Sequence, residues 1–198
     1  ERLKRAAAAG RIAVLLSPRN RYLLGVERRL YASPWLRAVI CGSDMVRAEI
    51  RTRFSVPDAK LHVIYNPVDS EHFHPGLRAE RARILERHGI DAAATVYLAV
   101  AADFGRAGVA TAIEALARLA PPAHLIAVGD TGNVSRHAVH AQVKGVGDRV
   151  TLVGATGDLR PYYGAADVFV LPSLYDPSPD TALEAMACAL PVITSTKG

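Results

Sequence analysis

Residues 168–195 read Val-Phe-Val-Leu-Pro-Ser-Leu-Tyr-Asp-Pro-Ser-Pro-Asp-Thr-Ala-Leu-Glu-Ala-Met-Ala-Cys-Ala-Leu-Pro-Val-Ile-Thr-Ser. An apolar run, a proline-bearing turn, a helix-forming run and a second apolar run predict strand 168–172, helix 179–189 and strand 191–194. From Thr181 to Leu190 the helix is apolar on every face except at Thr181 and Glu184, so it is expected in the interior. A lone buried carboxylate must go neutral or find a dedicated partner, and a bound polar ligand is one such partner for Glu184.

The same alternation extends upstream. Helices are predicted near 78–88, 109–119, 134–144 and 158–165, and strands at 95–101, 124–128 and 149–153. Helices alternating with continuous apolar strands imply a parallel sheet covered on both faces, a doubly wound α/β layer whose ligands bind beyond the carboxyl ends of the strands. Before it, a helix over Arg19–Tyr31 is broken by Ser33-Pro34, a strand follows at 38–41, Ser43 caps a helix to about Phe54, and a strand runs over Leu61–Tyr65. The turn-rich stretch from Asn66-Pro67 to Pro75-Gly76 marks the boundary. The expected division is 1–66, a linker 67–76, and 77–198.

The composition is that of a globular protein, with 50% hydrophobic and 22% charged residues in 198. No apolar run reaches the roughly 20 residues that span a bilayer, and the first ten residues lack a signal segment, which predicts a cytoplasmic protein. Cys41 and Cys188 lie in apolar segments far apart and are read as reduced core thiols, with no metal site. Residues 1–60 hold 13 Lys or Arg against 5 Asp or Glu, whereas the rest hold 11 against 14. Such a basic region can face phosphate-rich substrates, an anionic membrane surface or nucleic acid, or be a solvated face.

Three strand-to-helix loops should meet at one sheet edge: 102–108, 129–132 and 175–180. Gly105, Gly108 and Gly129 allow close backbone approach, and the helix start near Val109 offers free N–H groups to an anion, with Arg106 adding charge. A Gly-x-Gly-x-x-Gly turn between strand and helix is absent, since Gly145-Val146-Gly147 leads into a strand. No nucleophile elbow occurs. His137 and His140 are expected on an exposed helix face. Asp176, before Pro177, is by itself a good turn residue.

Asp176 at a strand end and Glu184 eight residues on, within Tyr175-Asp176-Pro177 and Leu183-Glu184-Ala185-Met186-Ala187-Cys188, resemble the Glu-x7-Glu motif of retaining glycosyltransferases of family 4, with Asp in the first place. Glu27-Arg28-Arg29-Leu30-Tyr31, Asn66-Pro67-Val68-Asp69, Asp103-Phe104-Gly105-Arg106 with Gly108, and Tyr162 to Asp167 extend the likeness. Within the family the set is most similar to lipopolysaccharide core glucosyltransferases. The resemblance implies two Rossmann-like domains: a donor-binding one with a parallel sheet flanked by helices, incomplete at its C-terminus, and a partial N-terminal domain on the acceptor side. It implies a hexosyltransferase using a nucleotide diphosphate sugar, a uridine diphosphate sugar by preference, with retention and without cofactor or metal. Glu184 would bind ribose, Asp176 the transferred sugar and Arg106 the diphosphate. Gly105, Gly129, Asp180 and Thr181 would line the donor. The implied partners are a cell-envelope glycolipid or glycan acceptor and an anionic membrane surface, at its inner face, with no nucleic acid.

Three departures stand out. Ala107 occupies the place of a lysine that balances diphosphate charge, a contact worth on the order of 100- to 1,000-fold in rate. Ala101 and Ala189 stand where the family generally has glycine. The likeness also begins inside the N-terminal domain and stops at Lys197-Gly198, so an incomplete fragment is expected, and the alternative is a catalytically impaired nucleotide-sugar-binding module.

Overall fold

The Ser17 hydroxyl accepts the Asn20 N–H at 3.5 Å and Pro18 stands in the first turn, where its missing N–H leaves nothing unpaired. These two residues start α1, Pro18–Tyr31, in the computed structural model, which describes residues 17–129, 132 and 134–196. Strand β1, Val39–Cys41, follows; Ser43 then caps α2, Asp44–Phe54, by accepting the Val46 N–H at 3.3 Å. Strand β2, Leu61–Val63, pairs parallel with β1, Val39 opposite Leu61. Cys41, Ile50, Val56 and Leu61 form a small core between these elements.

The chain divides into two units between Tyr65 and Asn66. The second runs α3 Arg81–His88, β3 Thr95–Val100, α4 Phe104–Ala107, α5 Val109–Leu116, β4 Ala123–Val128, α6 Val134–Val143, β5 Val150–Val153, α7 Arg160–Ala165, β6 Val168–Leu171, α8 Asp180–Ala187 and β7 Val192–Thr194. Its five strands lie in the order β5-β4-β3-β6-β7, every pairing parallel, with Thr95 opposite Ala123 and Tyr97 opposite Val168. This is the expected α/β layer. Interior strand β4, paired on both sides, is buried at all six positions, as a strand covered on both faces should be. Phe104, Ile113, Tyr163 and Phe169 are among the largest fully buried side chains of its core.

Four differences from the sequence reading have physical causes. Residues 67–76, expected as a linker, belong to the second unit, where Phe73 meets the Tyr163 ring edge-on at 5.5 Å; just after them, a Cβ on Gly164 would stand 1.9 Å from the Leu77 carbonyl oxygen. The loop 102–108 contains a one-turn helix, α4, because Asp103 Oδ1 accepts the Arg106 N–H at 3.1 Å and Gly108, at φ +77°, ends the turn. Helix α8 is not interior: Ala182 and Ala185 are buried but Met186 is 61% exposed. His137 is buried rather than exposed, its ring edge-on to Phe104 at 5.6 Å, and His140 is half-buried. Cys41 and Cys188 are buried free thiols, as expected.

Arginines fasten the start of this unit to the central sheet. Arg78 and Arg81 reach the Asp167 carboxylate at 2.7 and 3.0 Å, and the Val96 N–H donates to it at 2.8 Å. Burial works to raise the Asp167 pKa, but the Val96 N–H and the two guanidiniums outweigh it and hold the carboxyl below its ordinary range.

Candidate functional site

β3 leads to β4 on one side and β6 to β7 on the other, so the loops leaving β3 and β6 diverge over a topological switch point, the usual ligand crevice of such sheets. The structure stitches these loops together. The Leu174 N–H donates to the Arg106 carbonyl at 3.0 Å, and a Cβ on Gly108 would lie 2.1 Å from the Pro172 oxygen. Gly129, at φ +123°, donates its N–H to the Val153 carbonyl, and a Cβ on it would stand 2.7 Å from the Ala101 oxygen. Only glycine fits either position. Asp130 and Thr131, which follow Gly129, lie outside the described residues.

Gly105 and Arg106 are exposed on α4 and share a cleft of 770 Å³ with Asp103, Arg136, His140 and Leu174. Ala107 points the other way and is 4% exposed in the core cluster. Its methyl contributes packing, and Arg106 is the cation that α4 presents.

Glu184 sits on the second turn of α8, half-buried, and has a protein partner that its sequence setting did not reveal. The Tyr163 hydroxyl lies 2.6 Å from Glu184 Oε2 and 3.2 Å from the Thr181 carbonyl. Its single proton goes to the carboxylate, the shorter and charge-assisted bond. Burial first, and then the Glu184 charge, push the Tyr163 pKa far up, so the phenol remains a donor. The same two causes push the Cys188 thiol up to about 11, which leaves it unreactive. Glu184 Oε1 carries no hydrogen bond among the described residues. One carboxylate oxygen is therefore fixed and the other is open to a hydroxyl donor.

Pro179 precedes α8 and its carbonyl accepts the Ala182 N–H, which leaves the Asp180 and Thr181 N–H groups in the unbonded first turn. The Asp180 carboxylate accepts from the Asn66 amide at 2.7 Å, so that side chain is held by the start of its own unit. Asp176 is half-buried in the β6–α8 loop. The structure thus joins the Arg106 loop to the β6 loop directly and holds Glu184 on the helix that follows. Sequence reasoning missed Tyr163 as a site residue; it lies 21 positions before Glu184, beyond any helical spacing. Among the described residues no three His, Cys, Asp or Glu side chains converge as metal ligands, and no helix is long and apolar enough to cross a membrane.

The family described as Glycosyl transferases group 1 matches residues 94–198, and Glycosyltransferase Family 4 matches residues 6–72. A protein of Burkholderia thailandensis named Probable transglycosylase is 30% identical over 174 residues, covering 88% of this chain and 44% of the relative. Among solved structures, WaaG, a glycosyltransferase involved in lipopolysaccharide biosynthesis, superposes with a TM-score of 0.82 at 23% identity, over 92% of this chain and 50% of WaaG. Anabaena HepE in complex with UDP-glucose gives 0.73 at 24% identity, over 82% and 45%. At such identities the two structures attest the fold, and the chain spans about half the length of the proteins it matches. Matched over more than half of its residues by the first of these families, the chain belongs to the group 1 glycosyl transferases.

Proposed function

We propose that the chain binds a nucleotide diphosphate sugar, a uridine diphosphate sugar by preference, and serves transfer of a hexosyl group with retention to a cell-envelope glycolipid or glycan at the inner face of the membrane. The observation that carries this reading is the Tyr163–Glu184 pair at 2.6 Å, which aims one open carboxylate oxygen from a helix beginning at the switch point. A ribose presents two adjacent hydroxyl donors and suits that oxygen. Arg106 and the first-turn N–H groups of α8 suit the diphosphate, whose charge grows as the sugar departs. Asp176, on the intervening loop, suits hydroxyls of the transferred sugar. The likeness to HepE, solved in complex with UDP-glucose, and to WaaG, involved in lipopolysaccharide biosynthesis, supports the donor and acceptor classes.

Isothermal titration with uridine and guanosine diphosphate sugars tests the donor assignment. Binding of the uridine series, weakened roughly 10- to 100-fold by Glu184→Ala through loss of a charged hydrogen bond, is the expected result. Failure of both series to bind overturns it. The buried Ala107 favours one second reading, a binding module without turnover. Turnover by the unaltered protein eliminates that alternative.

A further inference from the structure

Helix α6 turns one stripe of side chains to the Arg106 cleft. Arg136, Val139, His140 and Val143 recur at the spacing of a single helix face, and all four line that cleft together with Arg106 of α4. Strand register puts the two arginines at the same end of it. β3 and β4 are parallel neighbours whose last residues, Val100 and Val128, are partners, and α4 and α6 are the first helices after them. Arg106 and Arg136 therefore both stand beyond the carboxyl edge of the sheet, whereas Val143, about two turns further along α6, lies back along its face.

Both guanidiniums are exposed, and among the described residues neither has a carboxylate partner or a side-chain hydrogen bond. Among those residues the one carboxylate lining the cleft is Asp103, and it already accepts the Arg106 N–H at 3.1 Å. His140 turns its Nε2 toward Glu114 of α5, 3.5 Å away, and Lys144 reaches the same carboxylate at 3.0 Å. Glu114 is thus balanced without either arginine. One unpaired surface arginine is ordinary, but two sharing a concave cleft, with no acid to offset the second, create a positive potential that draws an anion.

The donor proposed for this site carries negative charge on each phosphate, and the released nucleoside diphosphate gains more, since its terminal phosphate ionises again at a pKa of about 6. Ala107, next to Arg106, is buried in the core cluster and brings no charge to it. Planar guanidiniums on two helices can each grip a phosphate bidentately, which a single arginine cannot do for both. We infer that Arg136 is the second cation of the diphosphate subsite, a contact residue that α6 supplies to the phosphate Arg106 leaves unpaired. This inference rests on the donor reading above and adds to it a residue from a different helix.

Calorimetric titration with uridine diphosphate, inorganic pyrophosphate and uridine tests it on the parent and on the R136Q, R136K and R106Q variants. Glutamine and lysine are both good helix formers, so α6 persists in either Arg136 variant. The expected result is that R136Q and R106Q each weaken uridine diphosphate and pyrophosphate roughly 10- to 100-fold, the loss of one charged hydrogen bond, and leave uridine unchanged. R136K should recover part of the loss, which a merely structural role for Arg136 would not produce. Equal weakening by R87Q, which removes an exposed arginine of α3 outside the cleft, would reduce the effect to net charge and overturn the inference. Unchanged affinity in R136Q also overturns it, and a loss in R106Q alongside leaves the donor reading standing. A parent that binds neither uridine nor guanosine diphosphate overturns both.

Discussion

His124 gives the protein a pH-dependent stability whose size follows from its surroundings. It lies on β4, between β3 and β5, 9% exposed, with Nε2 2.8 Å from the Thr151 hydroxyl. Burial pulls its pKa from 6.5 to about 4; His88 and Arg149 also oppose the proton and Asp148 favours it. Because the folded value is the lower one, the unfolded chain takes up the proton first as pH falls. Stability is complete above about pH 6.5 and is lost progressively down to about pH 4. At 1.36 kcal/mol per unit, the whole window is worth about 3.4 kcal/mol, of which about 2 kcal/mol is gone at pH 5. His124→Gln keeps a side chain that can bond Thr151 but does not titrate. Urea unfolding followed by circular dichroism at pH 7 and pH 5 should show the parent losing about 2 kcal/mol more than the variant between the two conditions. Equal losses in both proteins would refute the assignment of a buried, neutral imidazole.

Tyr163→Phe should cost about 1–3 kcal/mol of stability, because Glu184 loses its donor, and should weaken nucleotide affinity about tenfold in titration calorimetry. Wild-type affinity in that variant would show that Glu184 is positioned by something else. Ala189 ends α8 at φ +60°, a left-handed conformation that costs an alanine about 1 kcal/mol, so Ala189→Gly should raise the melting temperature by a few degrees. Asp167→Asn leaves Arg78 and Arg81 without their carboxylate and should destabilise by roughly 2–3 kcal/mol at neutral pH. Since that carboxyl is held below its ordinary range, the penalty should shrink as acid protonates the parent, and a pH series of denaturant midpoints tests this.

Much of this architecture is written locally. Val168 to Leu171, bounded by Asp167 and Pro172, is read as a strand because four apolar residues between breakers have no other economical conformation. Ser43 announces α2 because a hydroxyl before a helical pattern binds a free N–H. The switch-point loops follow from the order of elements, which by itself puts Arg106, Asp176 and Glu184 near that edge. What escaped depends on tertiary partners. Met186 has the same apolar character as the buried Ala185, and only the neighbours decide which of them meets water. His137 gives no sign in sequence that Phe104 will cover it. The close approach of Leu77 depends on Gly164, 87 residues further on, having no side chain.

Tyr163 stands between two other rings, Phe73 edge-on at 5.5 Å and Phe169 stacked at 6.0 Å. The hydrogen-bond donor to Glu184 is therefore held by dispersion and exclusion of water, whereas the role proposed for Arg106 rests on an exposed charge. Ionic strength separates the two. Added salt screens the guanidinium and leaves the aromatic clamp untouched, so the affinity for a diphosphate should fall steeply along a salt series while the affinity for the bare nucleoside stays nearly level.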